Sequence, residues 1–473
     1  MHYSDSHLIK TLCCPKLAVQ MQKIYLKTYG CTLNQSDSDL IVGELTGRGY
    51  EFVDSADLAD AVIVNTCAVK ETTENKTMFY LSELERKGKK VIVAGCLPPV
   101  NFHGIKRAIP SAIGILGPNS VDRIPKILDG LNGGNGFPKE EQNEMPDFNP
   151  QSQNSTLNPA LSYEIPISLK GDFASKFPLR KLYSSHIARI QTSSGCLSNC
   201  TFCATKIARG TFKSKPASLI LNEARMAIKG SAKEIQLASQ DNGCYGFDLR
   251  TTMPELMYEL NALEGRFRIR VGMANPQHFL KNIDDWIEAF KLPKIYKFLH
   301  LPFQSGSNKV LTDMLRGYTV EEASFVADEF RKKIPALTLS TDMIVGFPGE
   351  TNDEFEQTLD ICRRLQFDII NFAKYSKRPG TKAAKMRQMH SSIHKTRAEI
   401  IDKVAKEIAL SQNQKCIGET YPDVLITEIG KNGYFQGRNI NYKAVLVKGN
   451  GMGVGQFVGA KINGASVTSL ISE

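Results

Sequence analysis

Three cysteines on one short stretch carry the most specific chemistry in this chain. Cys196, Cys200 and Cys203 stand in GCLSNCTFC with the spacing C-x3-C-x2-C, directly after an apolar run. Three soft thiolates on one loop can hold three irons of a 4Fe–4S cluster and leave the fourth iron without a protein ligand. A small chelating ligand needs such an open position, whereas a cluster that only passes electrons is normally closed by a fourth cysteine. A zinc loop is the plain alternative. Structural zinc takes four ligands, and no convenient fourth lies nearby.

A second set is dispersed. Cys31, Cys67 and Cys96 follow KTYG, VNT and VAG, each just past a run that reads as a strand. In a parallel α/β sheet the strand ends share one edge, where ligands bind, so three thiols far apart in sequence can converge. Taken singly, each could be a buried thiol packing as a small hydrophobe. Repetition at three equivalent strand ends points instead to a second metal centre. Cys244, Cys362 and Cys416 fit neither pattern, and Cys13 and Cys14 lie in the leader; these five are read as having no role.

Positioning two such sets takes several domains. KIYLKTYG (23–30), AVIVNT (61–66), VIVAG (91–95) and 113–116 read as strands, with helices over 36–48 and near 71–86. Strands alternating with helices predict a parallel α/β domain at 23–130. The stretch 131–184, rich in Asn, Pro, Gly and Gln with little to bury, predicts a flexible linker. The alternation resumes with strands at 187–191, 234–238, 266–272, 295–301, 337–345 and 367–372. Six βα units over 185–412 predict a partial barrel, closed by a helix near 393–410. Residues 413–473 are short β-rich runs punctuated by Gly, as in a small β-barrel.

The C-x3-C-x2-C loop resembles the radical S-adenosylmethionine (SAM) superfamily. That resemblance implies an open iron that binds the amino and carboxylate groups of SAM, and reductive cleavage to methionine and a 5′-deoxyadenosyl radical. The two cysteine sets together are similar to the methylthiotransferase family. Matching phrases run along nearly the whole chain: YGCTLNQSDSD, NTCAVKETTENK, AGCLPP, GCLSNCTFCATKIARG, SQDNGCYG, RVGMANP, HLPFQSGSNKVLTDMLRGYT, TDMIVGFPGET and KYSKRPGTKAAKM. GCLSNCTFCATKIARG looks most like the archaeal and eukaryotic branch acting on N6-threonylcarbamoyladenosine at position 37 of tRNA. The resemblance implies two 4Fe–4S clusters, SAM as cofactor, an electron donor such as ferredoxin or flavodoxin, and methylthiolation of adenine C2. The linker looks long for the family, and the leader before Lys23 is extra; Met21 could be the start. The tail resembles a TRAM domain.

By the same resemblance, SAM contacts come from strand ends around the barrel. Candidates are Asp241 for a ribose hydroxyl, Arg316 as a planar fork for the carboxylate, and Arg270 and Gln304. GFPGE (346–350) is either a loop near the cofactor or a simple βα turn. Lys206, Arg209, Lys213 and Lys215, with Lys374, Lys377, Arg378, Lys382, Lys385 and Arg387, suit phosphate contacts. Arg438, Asn439 and Tyr442 are candidate RNA contacts of the tail, Tyr442 by stacking on a base.

Bulk properties agree with this reading. The 473 residues are 42% hydrophobic and 23% charged, ordinary globular values, with a net charge of +10 that suits a polyanion. No apolar run is long enough to cross a bilayer, and 1–22 lacks the continuous apolar core of a signal peptide. A cytoplasmic protein without membrane partners is expected, and there eleven cysteines mean metal or redox chemistry rather than disulfides. Two rivals stand: a methylthiotransferase of a ribosomal protein, and a noncatalytic metal-stabilised RNA-binding protein.

Overall fold

The computed structural model describes residues 23–131, 167–177, 186–449 and 451–472. The possible start at Met21, Cys13 and Cys14 lie outside them, as does most of the expected linker.

Runs of Val, Ile and Ala build the first sheet. Its strands are β1 (Lys23–Thr28), β2 (Glu51–Phe52), β3 (Ala61–Thr66), β4 (Lys90–Gly95), β5 (Gly114–Leu116) and β6 (Ile167–Ser168). They are parallel, in the order β2-β1-β3-β4-β5-β6. All of β3 is buried, because helices cover both faces. Those helices are α1 (Thr32–Gly47), α2 (Glu71–Arg86), α3 (Phe102–Ala108) and α4 (Ile124–Leu131). The chain runs outward from β1 to β2 and then returns to β3, so the order reverses between β1 and β3, where α/β sheets open a crevice at their carboxyl ends.

Residues 167–177 fall inside the expected flexible linker, yet β6 pairs with β5 and Phe173 and Lys176 are buried. The strand is only two residues long and carries no periodic signal, so composition could not separate it from its surroundings.

The second domain holds β7 (Ile187–Gln191), β8 (Ser193–Ser194), β9 (Lys213–Ser214), β10 (Glu234–Ala238), β11 (Arg268–Val271), β12 (Phe298–His300), β13 (Thr338–Val345) and β14 (Ile369–Lys374). β8 and β9 form a small antiparallel pair. The other six are parallel, in two hydrogen-bonded sets, β11-β10-β7 and β12-β13-β14, joined through the Ile269–Ile295 bridge. This is the six-unit partial barrel. Around it lie α5 (Thr205–Arg209), α6 (Ala217–Lys229), α7 (Met253–Asn261), α8 (Ile283–Lys291), α9 (Asn308–Asp313), α10 (Val320–Lys333), α11 (Asn352–Leu365) and α12 (Ser391–Gln414). Thr252, Thr319 and Thr351 start α7, α10 and α11 with reciprocal capping boxes. Helix α1 of the first domain packs against β7, with the Ser36 hydroxyl donating to the Arg189 carbonyl at 2.8 Å. The open edge of the barrel is thereby covered rather than left to pair with another chain.

The tail contains β15 (Thr420–Ile429), β16 (Tyr434–Arg438), β17 (Ala444–Lys448), β18 (Phe457–Lys461), β19 (Gly464–Ala465) and β20 (Leu470–Ser472), in the order β18-β15-β16-β17-β20-β19. It docks where the barrel strands begin. The Lys297 amide donates to the Ile440 carbonyl at 2.8 Å, Lys443 pairs with Asp368 at 2.6 Å, and Arg266 and Arg268 both reach Asp423. Strand ends carry the cysteine loop, so tail and cysteines sit at opposite ends of the barrel. No described helix is long and apolar enough to cross a membrane.

Candidate iron–sulfur and cofactor site

The dispersed cysteines converge as their strand-end positions require. Cys31, Cys67 and Cys96 follow β1, β3 and β4. Gly30 lies against Cys67: its φ is +105°, and an added Cβ would fall 2.7 Å from Cys67 Cβ and 2.9 Å from its Sγ. Asn34, on the first turn of α1, ties the three ends together. Its amide donates to the Tyr29 carbonyl at 3.0 Å and the Thr66 carbonyl at 2.7 Å, and its oxygen accepts from Cys96 Sγ at 3.4 Å. Cys67 and Cys96 are buried while Cys31 is exposed, so the set opens to one side. Burial pushes the Cys96 thiol up to about 11, against the opposing charge of Arg209, and burial raises Cys67 too. Such thiols bind metal only by giving up protons. A soft three-sulfur donor set with the Val69 amide aimed at Cys67 Sγ, 3.5 Å away, fits a cluster ligated at three irons.

The compact set sits on the loop after β7 and β8. Gly195 permits its tight entry, with φ +77° and no room for a Cβ, which would meet the Thr211 carbonyl oxygen at 2.2 Å. The loop is pinned at Thr201, whose amide and hydroxyl donate to the Met314 and Asp313 carbonyls at 3.0 and 2.9 Å. Burial and the charge of Asp241 push Cys196 up to about 11. Burial also raises Cys200, where Arg316 opposes it and donates from Nη1 to Sγ at 2.9 Å. A donor aimed at sulfur favours thiolate there, again fitting a cluster.

Arg316 and Asp241 belong to one chain of contacts. Arg316 Nη2 donates to Asn275 Oδ1, and its Nε donates to the Tyr318 hydroxyl at 3.0 Å. Asp241 is fully buried. Its carboxylate accepts from the Gly243 and Asn275 amides at 3.0 and 3.1 Å, from Asn275 Nδ2, and from His278 Nε2 at 3.2 Å. Both its oxygens are therefore engaged within the protein, which makes Asp241 a brace for Asn275 and Arg316 rather than a free acceptor for a ribose hydroxyl. Cys244, expected to have no role, is 3.2 Å from His278 Nε2 and held protonated by burial. Gln304 is buried at φ +69°. Its backbone links to β13 past the end of β12 through the Asp342 carbonyl at 2.8 Å and the Ile344 amide at 2.9 Å.

Arg270 does not join this group. Its guanidinium lies over the rings of Phe298 and Tyr442, 5.2 and 5.3 Å from their centroids. Tyr442 in turn packs on Tyr296 at 4.8 Å and Phe298 at 4.9 Å, and its hydroxyl meets Glu234 at 3.3 Å. Arg270 and Arg438 lie over this ring, so its contacts serve docking: Tyr442 joins the tail to the floor of the barrel. Asn439 is likewise buried, capping the turn at Lys443. The expected RNA roles of both give way to docking roles.

The basic residues divide. Lys374, Lys377, Lys382, Lys385 and Arg387 are exposed. Arg209, Lys215 and Arg378 are buried. Lys215 pairs with Glu223 at 2.5 Å. Arg378 pairs with Glu74 and donates to the Val69 carbonyl at 3.1 Å, clamping the barrel to the first domain beside Cys67. Arg209 meets Asp37 at 2.7 Å. Lys213 pairs with Asp172 at 3.1 Å and Lys206 reaches Asn199 at 2.7 Å.

Sequence reasoning missed several groups. Asn34 and Asp37 lie inside YGCTLNQSDSD, where spacing marked only the cysteine. His300, Asp342 and Asn371 meet on adjacent barrel strands, with His300 Nε2 3.0 Å and Asn371 Nδ2 3.2 Å from the Asp342 carboxylate. Burial pushes Asp342 up, but the His300 and Asn371 contacts and the charge of Lys70 outweigh it and leave it below the usual carboxylate range. The position of His300 at the end of β12 was the available signal; Asp342 lies in the middle of β13 and carried none. Phe247 is exposed beside His278, with ring centroids 5.8 Å apart.

Residues 23–117 match the Uncharacterized protein family UPF0004, 190–362 the Radical SAM superfamily, and 414–473 the TRAM domain. The chain is 42% identical to a probable threonylcarbamoyladenosine tRNA methylthiotransferase of Pyrococcus abyssi, over 96% of this chain and 99% of that protein. It is 32% identical to the threonylcarbamoyladenosine tRNA methylthiotransferase of Drosophila melanogaster, over 96% and 77%. Among solved structures, the radical S-adenosylmethionine methyltransferase TsrM of Kitasatospora setae, with cobalamin and a [4Fe-4S] cluster bound, matches at TM-score 0.52 and 12% identity, over 88% of this chain and 77% of that one. The cobalamin-dependent radical enzyme OxsB matches at TM-score 0.50 and 13% identity, and the chain spans 56% of its length. At such identities these two likenesses concern fold alone.

Proposed function

The chain belongs to the threonylcarbamoyladenosine tRNA methylthiotransferase family, and on that premise we propose how its residues add a methylthio group to C2 of N6-threonylcarbamoyladenosine at position 37 of tRNA. Cys196, Cys200 and Cys203 hold one 4Fe–4S cluster, and Cys31, Cys67 and Cys96 hold a second. The observation that carries this reading is that the residues just after the compact set, Ala204 and Ala208, pack into the first-domain core beside Cys96, which brings the two three-thiol sets to the same domain interface. When bound, the clusters and SAM supply the electron, the methyl group, the sulfur and a radical able to break an aromatic C–H bond that acid–base chemistry leaves inert. A low-potential donor such as ferredoxin or flavodoxin delivers the electron, in the reducing cytoplasm that free thiols require.

The chain's own residues bind and orient. Arg316, held by Asn275 and Tyr318, presents its fork beside the open side of the compact set, where a carboxylate would be received. Asp241 fixes Asn275 and thus Arg316. Gln304 lies on the rim formed past β12. Lys70 of the first domain, with His300, Asp342 and Asn371 of the barrel, offers the adenine and its threonylcarbamoyl group polar partners, and Phe247 offers a face on which a base can stack. Exposed Lys374, Lys377, Lys382, Lys385 and Arg387 fit phosphates near the mouth.

The test supplies tRNA and ribosomal protein separately to reduced, reconstituted enzyme with SAM and sulfide, and looks for the methylthio mass on each. Product on tRNA is expected; product on protein alone overturns the substrate. Replacing Cys196, Cys200 and Cys203 by Ala should abolish 5′-deoxyadenosine formation, whereas replacing Cys31, Cys67 and Cys96 should leave it and eliminate methylthio transfer. Retained transfer in the second variant would make the first domain's cysteines structural.

A further inference from the structure

Arg209 lies six positions beyond Cys203 in the sequence, on α5, yet its side chain leaves the barrel and enters the first domain. It is almost fully buried, its side chain 1% exposed. Nη2 donates to Asn34 Oδ1 at 2.8 Å and to Asp37 Oδ2 at 2.7 Å. Asn34 is the residue whose oxygen also receives Cys96 Sγ. Nη1, by contrast, has no hydrogen-bond partner among the described residues. A guanidinium carries five N–H donors, and leaving one of its nitrogens dry and unpaired is costly.

The charges nearby do not balance either. Asp37 also receives Lys176 at 2.6 Å and Gln191 at 2.6 Å, so one carboxylate faces two buried cations. Burial beside Arg209 already pushes Lys176 down, to about 8. An excess positive charge in a buried site calls for an anion.

We propose that Arg209 is a positioning residue that donates its free Nη1 hydrogens to anionic sulfur held at the Cys31–Cys67–Cys96 site, binding the first domain's sulfur centre to the loop of the radical cluster. The ligand class is a sulfide or thiolate sulfur, a soft anion that accepts hydrogen bonds from a guanidinium. Because Arg209 is anchored on Asp37 and Asn34 yet rooted on α5, directly after the loop of Cys196–Cys203, the two sets hold a fixed spacing. The inference rests on the two-cluster reading above.

The experiment uses full-length protein carrying Cys196→Ala, Cys200→Ala and Cys203→Ala, so that only the first domain's cluster is read, and follows its midpoint potential by an EPR-monitored redox titration. Removing the cation in Arg209→Gln should make the cluster harder to reduce and shift the potential to more negative values. Asp37→Asn removes a negative charge while leaving Arg209, and should shift it the other way. A merely structural role predicts shifts of the same sign in both, and that result, or an unmoved potential in Arg209→Gln, overturns the proposal. Should Arg209→Gln fail to fold, Arg209→Lys keeps a cation on Asp37 without the second arm. A smaller negative shift is then expected, and no shift overturns the proposal. If the triple-alanine protein holds no cluster with Arg209 intact, the two-cluster reading falls and takes this inference with it.

Discussion

Single positions in this protein are decided by what stands one atom away. Gly30 is the clearest case, since any side chain there would occupy the place of Cys67 Sγ and would also be strained at φ +105°. Gly30→Ala should therefore displace Cys67 and, on the proposed two-cluster reading, lower reconstituted iron by about half while the other domain is untouched. An iron assay reads this directly. Asp37 is decided by charge. Burial raises its carboxyl, but the nearby Arg209 and Lys176 charges outweigh it, leaving the folded-state value below the ordinary one. A depressed carboxyl contributes stability that is full above its unfolded value, about 3.9, and is lost as pH falls through the lower folded value. Apo-protein stability, read as the urea midpoint, should thus decline below about pH 4, and Asp37→Asn should flatten that decline. The variant should also be less stable at neutral pH, by about 3–5 kcal/mol, for leaving buried cations unpaired. Such positions were only partly legible in the sequence. All six cysteines of the two candidate sets carried a spacing or strand-end signal, whereas Asn34, Asp37 and Arg209 acquire their meaning from partners that are distant along the chain.

Strands and helices were more legible than their contacts. β3 and α2 span the residues their patterns indicated, and each of the six barrel strands overlaps its expected run. Long apolar alternation survives any tertiary context, because both faces of a parallel sheet must be dry. β2 and β6, two residues each, escape for want of a period, and β6 lay hidden in a polar stretch. The basic runs misled for a related reason: periodicity reports which face is wet only in a regular element, and Arg378 lies in a loop. Its clamp on Glu74 and the Val69 carbonyl joins that loop to the start of α2. Arg378→Ala should cost about 1–3 kcal/mol, since the half-buried Glu74 loses its cation but keeps the Asn101 amide. It should also raise proteolysis between the first domain and the barrel, visible in a limited-digestion time course. A surface phosphate contact would instead leave stability unchanged and weaken only tRNA binding.

Three domains share one set of interfaces, and the tail is the outlying member. It docks on the strand starts through Tyr442, Lys443 and Asp423 while the cysteines lie at the strand ends. Tyr442→Ala should loosen the tail, costing about 3 kcal/mol as for other packed aromatics, and weaken tRNA binding while leaving bound iron intact. Equal loss of iron would mean that the tail supports the clusters after all. Tyr442 packs on Tyr296, Phe298 and Arg270 where the barrel strands start, so the tail stops that end. An RNA that meets both the tail and the cysteine end must therefore run along the outside wall of the barrel.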